Sequence, residues 1–129
     1  MSEVQILPDL RYTKEHEWVR PSATDVAVGI TAFAVEQLGD VTLVSIDVKV
    51  GDTVAAGKTF GTIESVKTLS DLFAPVAGKV VRINDALTAH PELVNEDCYG
   101  RAWMIALAPS DPNEVSSLLD ANAYKSLVG

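Results

Sequence analysis

The run Thr59-Phe60-Gly61-Thr62-Ile63-Glu64-Ser65-Val66-Lys67-Thr68-Leu69-Ser70-Asp71-Leu72-Phe73-Ala74 decides the fold. Its first five residues favour an extended strand, and Leu72-Phe73-Ala74 is a second apolar run, stopped by Pro75 and Gly78. The stretch between them, Glu64 to Asp71, reads as the tip of a β-hairpin with Lys67 at its point. On this reading Val66 and Leu69 anchor the turn while the lysine points outward. Most surface lysines do no more than solvate. A lysine on the tip of a small rigid sheet, however, is within reach of another protein, and a group joined to its amine is carried rather than buried. A lysine acting as base or Schiff-base former needs burial or a cationic neighbour to lower its pKa. Glu64 and Asp71 supply neither, so the pattern favours a carrier over a catalyst.

Outward from this hairpin the text is mostly β. Tyr12 to Val19 holds strand-favouring residues, and Val26, Val28 and Ile30 alternate. Arg20 to Thr24 reads as the turn that pairs them. Thr31 is placed to cap a short helix through Leu38, with Gly39 just past its end. Val41 to Val48, Val80 to Ile83 and Ala102 to Ile105 read as further strands. Gly51-Asp52 and Ala56-Gly57-Lys58 supply turns. In the tail, Asp111 caps a helix with Pro112 in its first position and Glu114 completing a capping box. Val115, Leu118 and Leu119 share one face of it, which packs on the sheet. Ala121 to Leu127 adds another helical turn.

An internal repeat runs beneath this pattern. Gly39-Asp40-Val41 returns as Gly78-Lys79-Val80, and Phe60-Gly61 returns at the same offset as Tyr99-Gly100. Val44 matches Ile83, and Val54 matches Leu93. Two such halves predict a sandwich of two small antiparallel sheets related by a pseudo-twofold axis, with short helices and a C-terminal helix as extensions. Lys67 falls near the join between the halves. The whole chain, 1–129, reads as one domain.

Composition narrows the function. The net charge is −8, and the Lys and Arg residues form no run, which argues against a nucleic-acid partner. No apolar stretch reaches the length of a membrane span. Met1-Ser2-Glu3-Val4 carries no secretory or transit signature, so a cytoplasmic location is expected. The single Cys98 excludes an intramolecular disulfide, and His16 and His90 without a cysteine partner make no zinc pattern. Cys98 reads as a small half-buried residue, His16 as a packing or hydrogen-bonding residue, and Trp18 and Trp103 as core or near-core anchors. No nucleophile–base pair is visible, so the chain is not expected to be an enzyme.

Six blocks carry a more specific signal: Tyr12-Thr13-Lys14-Glu15-His16-Glu17-Trp18-Val19; Gly29-Ile30-Thr31; Leu38-Gly39-Asp40-Val41; Glu64 to Asp71; Ala74-Pro75-Val76-Ala77-Gly78; and Pro91 to Asp97 with Tyr99-Gly100 and Trp103-Met104-Ile105. In this order and spacing the chain resembles the H proteins of the glycine cleavage system, from about Leu10 to the C-terminal helix. The resemblance implies that (R)-lipoate is joined to Lys67 as an amide, which removes the lysine charge. It also implies that Glu64 and Ser65 shape the turn for lipoate-attaching enzymes. The implied partners are a glycine decarboxylase (P protein), a tetrahydrofolate-dependent aminomethyltransferase (T protein) and dihydrolipoyl dehydrogenase (L protein). The arm accepts an aminomethyl group from the first, presents it to the second and is reoxidised by the third. A monomer is expected, because one lysine must enter several large active sites in turn.

The family shelters the loaded arm in a surface cleft, and the resemblance places Glu17 and Asp71 as carboxylate hosts for its cationic amine. The plainer reading makes them a solvated acid and a hairpin polar contact. Glu15 stands where some relatives carry a small hydroxyl residue, Cys98 where a proline is common, and Ile46-Asp47-Val48-Lys49 departs from the usual segment. A biotin carrier is an alternative, although Val66 and Thr68 stand where such domains flank their lysine with methionine. Relay of lipoate to other acceptor proteins, or an unmodified interaction protein on the same scaffold, also remains open.

Overall fold

Val26, Val28 and Ile30 are all buried, as their spacing predicts, but the strand does not alternate: Ala27 is half-buried and Gly29 buried, because the strand lies inside the larger sheet. The computed structural model describes residues 5–129, so the reading of Met1 to Val4 lies outside the described residues. The strands are β1 (Arg11–Tyr12), β2 (Glu17–Pro21), β3 (Val26–Ile30), β4 (Val41–Ile46), β5 (Thr53–Val54), β6 (Thr59–Ser65), β7 (Leu69–Phe73), β8 (Gly78–Ile83) and β9 (Ile105–Pro109). The helices are α1 (Ala32–Leu38), α2 (Ala86–Ala89), α3 (Leu93–Glu96), α4 (Pro112–Ser116) and α5 (Ala121–Val128). One sheet has six strands in the order β1-β2-β3-β9-β8-β5; the other has three, β4-β6-β7. All pairings are antiparallel. The fold is therefore mainly β with two antiparallel sheets and short helices, as the sequence predicts.

The repeat is visible in the strand pairing and lost in the middle of each half. β4 pairs with β6 through Val44 and Ile63, and β8 pairs with β9 through Ile83 and Ile105. Each half thus folds its last strand back on its first. Val54 lies in β5, however, while its counterpart Leu93 opens α3. Phe60-Gly61 lies within β6, while Tyr99-Gly100 forms a turn ahead of β9. The sheets are unequal because β1, β2 and β3 extend only the larger one.

Several elements differ from the sequence reading. Tyr12 to Val19 is not one strand: a tight turn at residues 13–16 divides β1 from β2. There the Thr13 hydroxyl accepts from the amides of Glu15 and Glu17, a side-chain bond that competes with the strand ladder. Arg20 and Pro21 stay in β2, and the hairpin turn begins at Ser22. The last strand runs from Ile105 to Pro109, not from Ala102, because Ala106 and Leu107 are buried between β3 and β8. The capping box does not close. Glu114 accepts instead from the Ala77 amide, tying α4 to the start of β8. Asp111 still caps α4 by accepting from Asn113 N.

Two apolar clusters form the core. The larger fills the space between the sheets with Val28, Phe60, Ile63, Leu72, Val80, Met104, Ile105 and Leu107 among others. Each such side chain, fully buried, contributes about 1.5–3 kcal/mol. The second cluster holds Leu10, Tyr12, Trp18, Tyr99 and Tyr124. Gly29 is required there: a Cβ at this position would lie 2.5 Å from the Trp18 ring. Tyr124 makes α5 a core element rather than a loose final turn. Its ring stacks on Tyr12 at 4.6 Å, and it is fully buried.

Candidate functional site

Ser65 builds the hairpin tip. Its hydroxyl accepts from the amides of Lys67 and Thr68, and its backbone amide donates to the Thr68 carbonyl at 2.8 Å. Val66 N donates to the Asp40 carbonyl, which fixes the turn against the end of α1. Ser65 is buried; Val66 and Leu69 are not, with relative exposures of 68% and 63%. The anchoring role assigned to those two apolar residues is therefore wrong. A four-residue turn is too tight to fold its side chains inward, so hydrogen bonds to Ser65 hold it instead. Replacing Val66 and Leu69 by serine together is expected to leave Tm within about 3 °C of the parent, as exposed substitutions cost about 0.5 kcal/mol or less. A melting curve checks this.

Lys67 is exposed, and its stem crosses the C-terminal end of α1. Gly39 makes the crossing possible: a Cβ there would lie 3.0 Å from Lys67 Cε. Gly39 also holds φ at 77°, a conformation that glycine adopts without steric cost, and its amide closes the helix onto Val35 O. Thr31 caps the other end of α1 by accepting from Ala34 N, as predicted. Glu64 is exposed, and its carbonyl accepts from the Thr42 hydroxyl, so its backbone rather than its carboxylate serves the sheet.

Beside the hairpin lies a cleft of about 240 Å³. It is lined by Ile63, Ser70, Asp71 and Leu72 of β6 and β7, by Glu15 and His16 of the β1–β2 turn and by Glu17 at the start of β2. Ile30 of β3, Ala34, Gln37 and Leu38 of α1 and Thr68 of the hairpin complete it. The cleft thus begins at residues adjoining Lys67 and Gly39. It brings together Glu17 and Asp71, which are 54 positions apart in the sequence, and adds Glu15 and His16 to them.

Glu17 is not a solvated acid. It is 2% exposed, accepts from the Thr13 hydroxyl at 2.7 Å and lies 3.5 Å from the Phe73 amide on the free edge of β7. Burial pushes its pKa up to about 7, against the opposing pull of those hydrogen bonds, with the Glu15 charge adding to the rise. Asp71 is exposed on the rim. A cation entering the cleft would meet a carboxylate rim and a buried carboxyl that ionises readily once a positive charge stands beside it.

His16 is a packing and hydrogen-bonding residue, as read from the sequence. Its Nδ1 lies 2.8 Å from the Tyr124 hydroxyl and its ring 4.7 Å from Phe33. Cys98 is half-buried, with its thiol pushed up to about 11 by desolvation, which makes it a poor nucleophile. Trp18 is fully buried with Arg20 over its ring, and Trp103 is half-buried beneath Arg82. Among the described residues no cluster of His, Cys, Asp or Glu could hold a metal ion, and no helix is long and apolar enough to cross a membrane.

Sequence reasoning missed Thr13, Ile30, Ala34, Gln37 and Leu38. Thr13 had a local signal, a hydroxyl four residues before Glu17; the lining residues of α1 had none, because only packing turns that face toward the hairpin.

Residues 10–129 match the family described as glycine cleavage H-protein. The chain is 51% identical over 125 residues to a glycine cleavage system H protein of Anaeromyxobacter sp., covering 97% of each chain. It is 53% identical over 120 residues to that of Bacteroides thetaiotaomicron, covering 93% of this chain and 94% of the relative. The crystal structure of a glycine cleavage system H protein from Mycobacterium marinum superposes with a TM-score of 0.84 at 42% identity, covering 94% of this chain and 97% of that one. A match of this length and identity, on the same fold and with a lysine at the hairpin tip, leaves one assignment: the chain belongs to the glycine cleavage H-protein family.

Proposed function

We propose that this protein is the lipoyl-carrying shuttle of a glycine cleavage system, with lipoate joined as an amide to Lys67. The observation that carries the reading is the pairing of an exposed amine at the tip of a rigid hairpin with a carboxylate-lined cleft beginning beside it. The residues fit the group. Lys67 offers a reachable nucleophile, Ser65 holds the turn that presents it, and Gly39 leaves room for the stem. When bound, the dithiolane supplies the redox and group-carrying chemistry. The chain supplies the starting point of the arm, and in Glu17 and Asp71 a resting place for a cationic amine.

On this reading the protein turns over no substrate by itself. Glycine decarboxylase loads the arm, the aminomethyltransferase unloads it and dihydrolipoyl dehydrogenase reoxidises it. The whole chain, 1–129, acts as one carrier domain, a cytoplasmic monomer that visits each enzyme. Intact mass before and after incubation with a lipoate-attaching enzyme and lipoate tests the reading. A gain of one lipoyl amide, localised by peptide mapping to Lys67, is expected. A biotinyl adduct in cells able to make both would favour the biotin carrier instead.

A further inference from the structure

His16 is the single non-glycine residue with positive φ among the described residues, at 71°. Side chains rarely adopt this conformation, and it persists only where the surroundings over-determine it. Here it lies between Glu15 and Glu17, in the wall of the cleft. Within the turn its amide donates to the Thr13 carbonyl at 3.1 Å, and it is held from outside the turn as well. The Thr31 amide donates to the His16 carbonyl at 3.0 Å, and the His16 ring meets the Tyr124 hydroxyl at 2.8 Å. That hydroxyl also meets Thr31 Oγ1 at 2.7 Å.

The hydroxyl has one proton, so it donates to one of these contacts and accepts from the other. If Tyr124 donates to His16 Nδ1, Thr31 donates to Tyr124; if His16 donates, Tyr124 donates to Thr31. In either arrangement each polar atom is satisfied, and desolvation holds the His16 pKa below its usual value, which keeps the ring neutral. The ring of Tyr124 needs none of this for packing, since it stacks on Tyr12 within the second core cluster. Its hydroxyl reaches past that cluster to residues 93 and 108 positions earlier in the chain, the N-cap of α1 and the cleft wall.

We propose that the Tyr124 hydroxyl is a positioning group for the carrier cleft: it holds His16 in its left-handed conformation and so fixes where the Glu15 and Glu17 carboxylates stand. The inference rests on the reading of this cleft as the resting place of the arm. It gives the C-terminal helix a part in sheltering the carried amine, through one hydrogen bond and without contact to the arm.

Tyr124→Phe removes the oxygen and keeps the ring. In the unmodified protein, hydrogen-exchange protection of the His16 and Glu17 amides is expected to fall roughly five-fold, the effect of one net hydrogen bond. The ring nitrogens of His16 should shift in the 15N spectrum. In the lipoylated, loaded protein the carried amine should be lost faster by a similar factor, while the rate of lipoylation at Lys67 is unchanged. Val115→Ala, in α4 outside the cleft, controls for general loss of stability. If it changes protection and amine loss as much as Tyr124→Phe does, the hydroxyl has only a structural role and the inference fails. If Glu17→Gln speeds amine loss and Tyr124→Phe does not, the inference falls and the cleft reading stands. If neither variant changes amine loss, the cleft reading falls and takes the inference with it.

Discussion

A Lys67→Ala chain is expected to accept no lipoyl group and to support no glycine cleavage when combined with the other components. The effect is complete because nothing nearby can replace the amine. Ser65 is committed to the Lys67 and Thr68 amides, and Thr68 offers an alcohol, a far weaker nucleophile than an amine at neutral pH. The fold should survive. Lys67 is exposed, and its stem only lies across Gly39, so little packing is lost. Intact mass after incubation with the attaching enzyme reads the first outcome, and a melting curve reads the second. Lipoylation of this variant would place the attachment point elsewhere and sink the carrier assignment of Lys67.

Glu17 should dominate the dependence of stability on pH near neutrality. Its folded pKa is about 7, against the ordinary 4.5 of a free glutamate side chain. Between these values the folded state binds the proton that the unfolded state has released, so stability falls as pH rises. The contribution is fully present below 4.5 and lost as pH passes through about 7. With one unit worth about 1.4 kcal/mol, the loss is on the order of 3 kcal/mol. His16 acts in the opposite sense. Its folded pKa is lowered, so its contribution fades as pH drops below 6.5 and blunts the gain on the acid side. The clearest window is therefore pH 8 to 6.5, where denaturation midpoints should rise on acidification. Glu17→Gln removes the titrating group and should flatten this slope. A wild-type slope that persists in the variant would contradict the buried state of Glu17. The same substitution should quicken loss of the carried amine, since a neutral amide accepts a hydrogen bond but cannot form an ion pair with an ammonium.

Lys67 was legible because a hairpin is a local structure: two strands, a polar tip and a serine two residues before the lysine are all read within fifteen positions. The cap at Thr31, the glycine stop at Gly39 and the Asp111 cap of α4 were legible for the same reason. Val66 and Leu69 depart from the sequence pattern, in which apolar residues seek the core. In so tight a turn they cannot reach it, and backbone hydrogen bonds to Ser65 carry the load. Glu114 was misread because a capping-box pattern does not reveal a rival donor, and Ala77 N supplied one from 37 residues away.

By itself the sequence determined the strand-rich class, the repeat, the exposed lysine and, through the six ordered blocks, the family. Those are properties of spacing and residue type, and local propensity together with a hydrophobic pattern suffices to set them. Only the tertiary structure decided that Glu17 is buried rather than solvated, that it lines the same cleft as Asp71 beside the hairpin, and that Tyr124 reaches His16 from the far end of the chain. The physical reason is desolvation. A carboxyl takes its pKa, and a hydroxyl its partner, from what surrounds it, and those surroundings come from chain segments far apart in sequence.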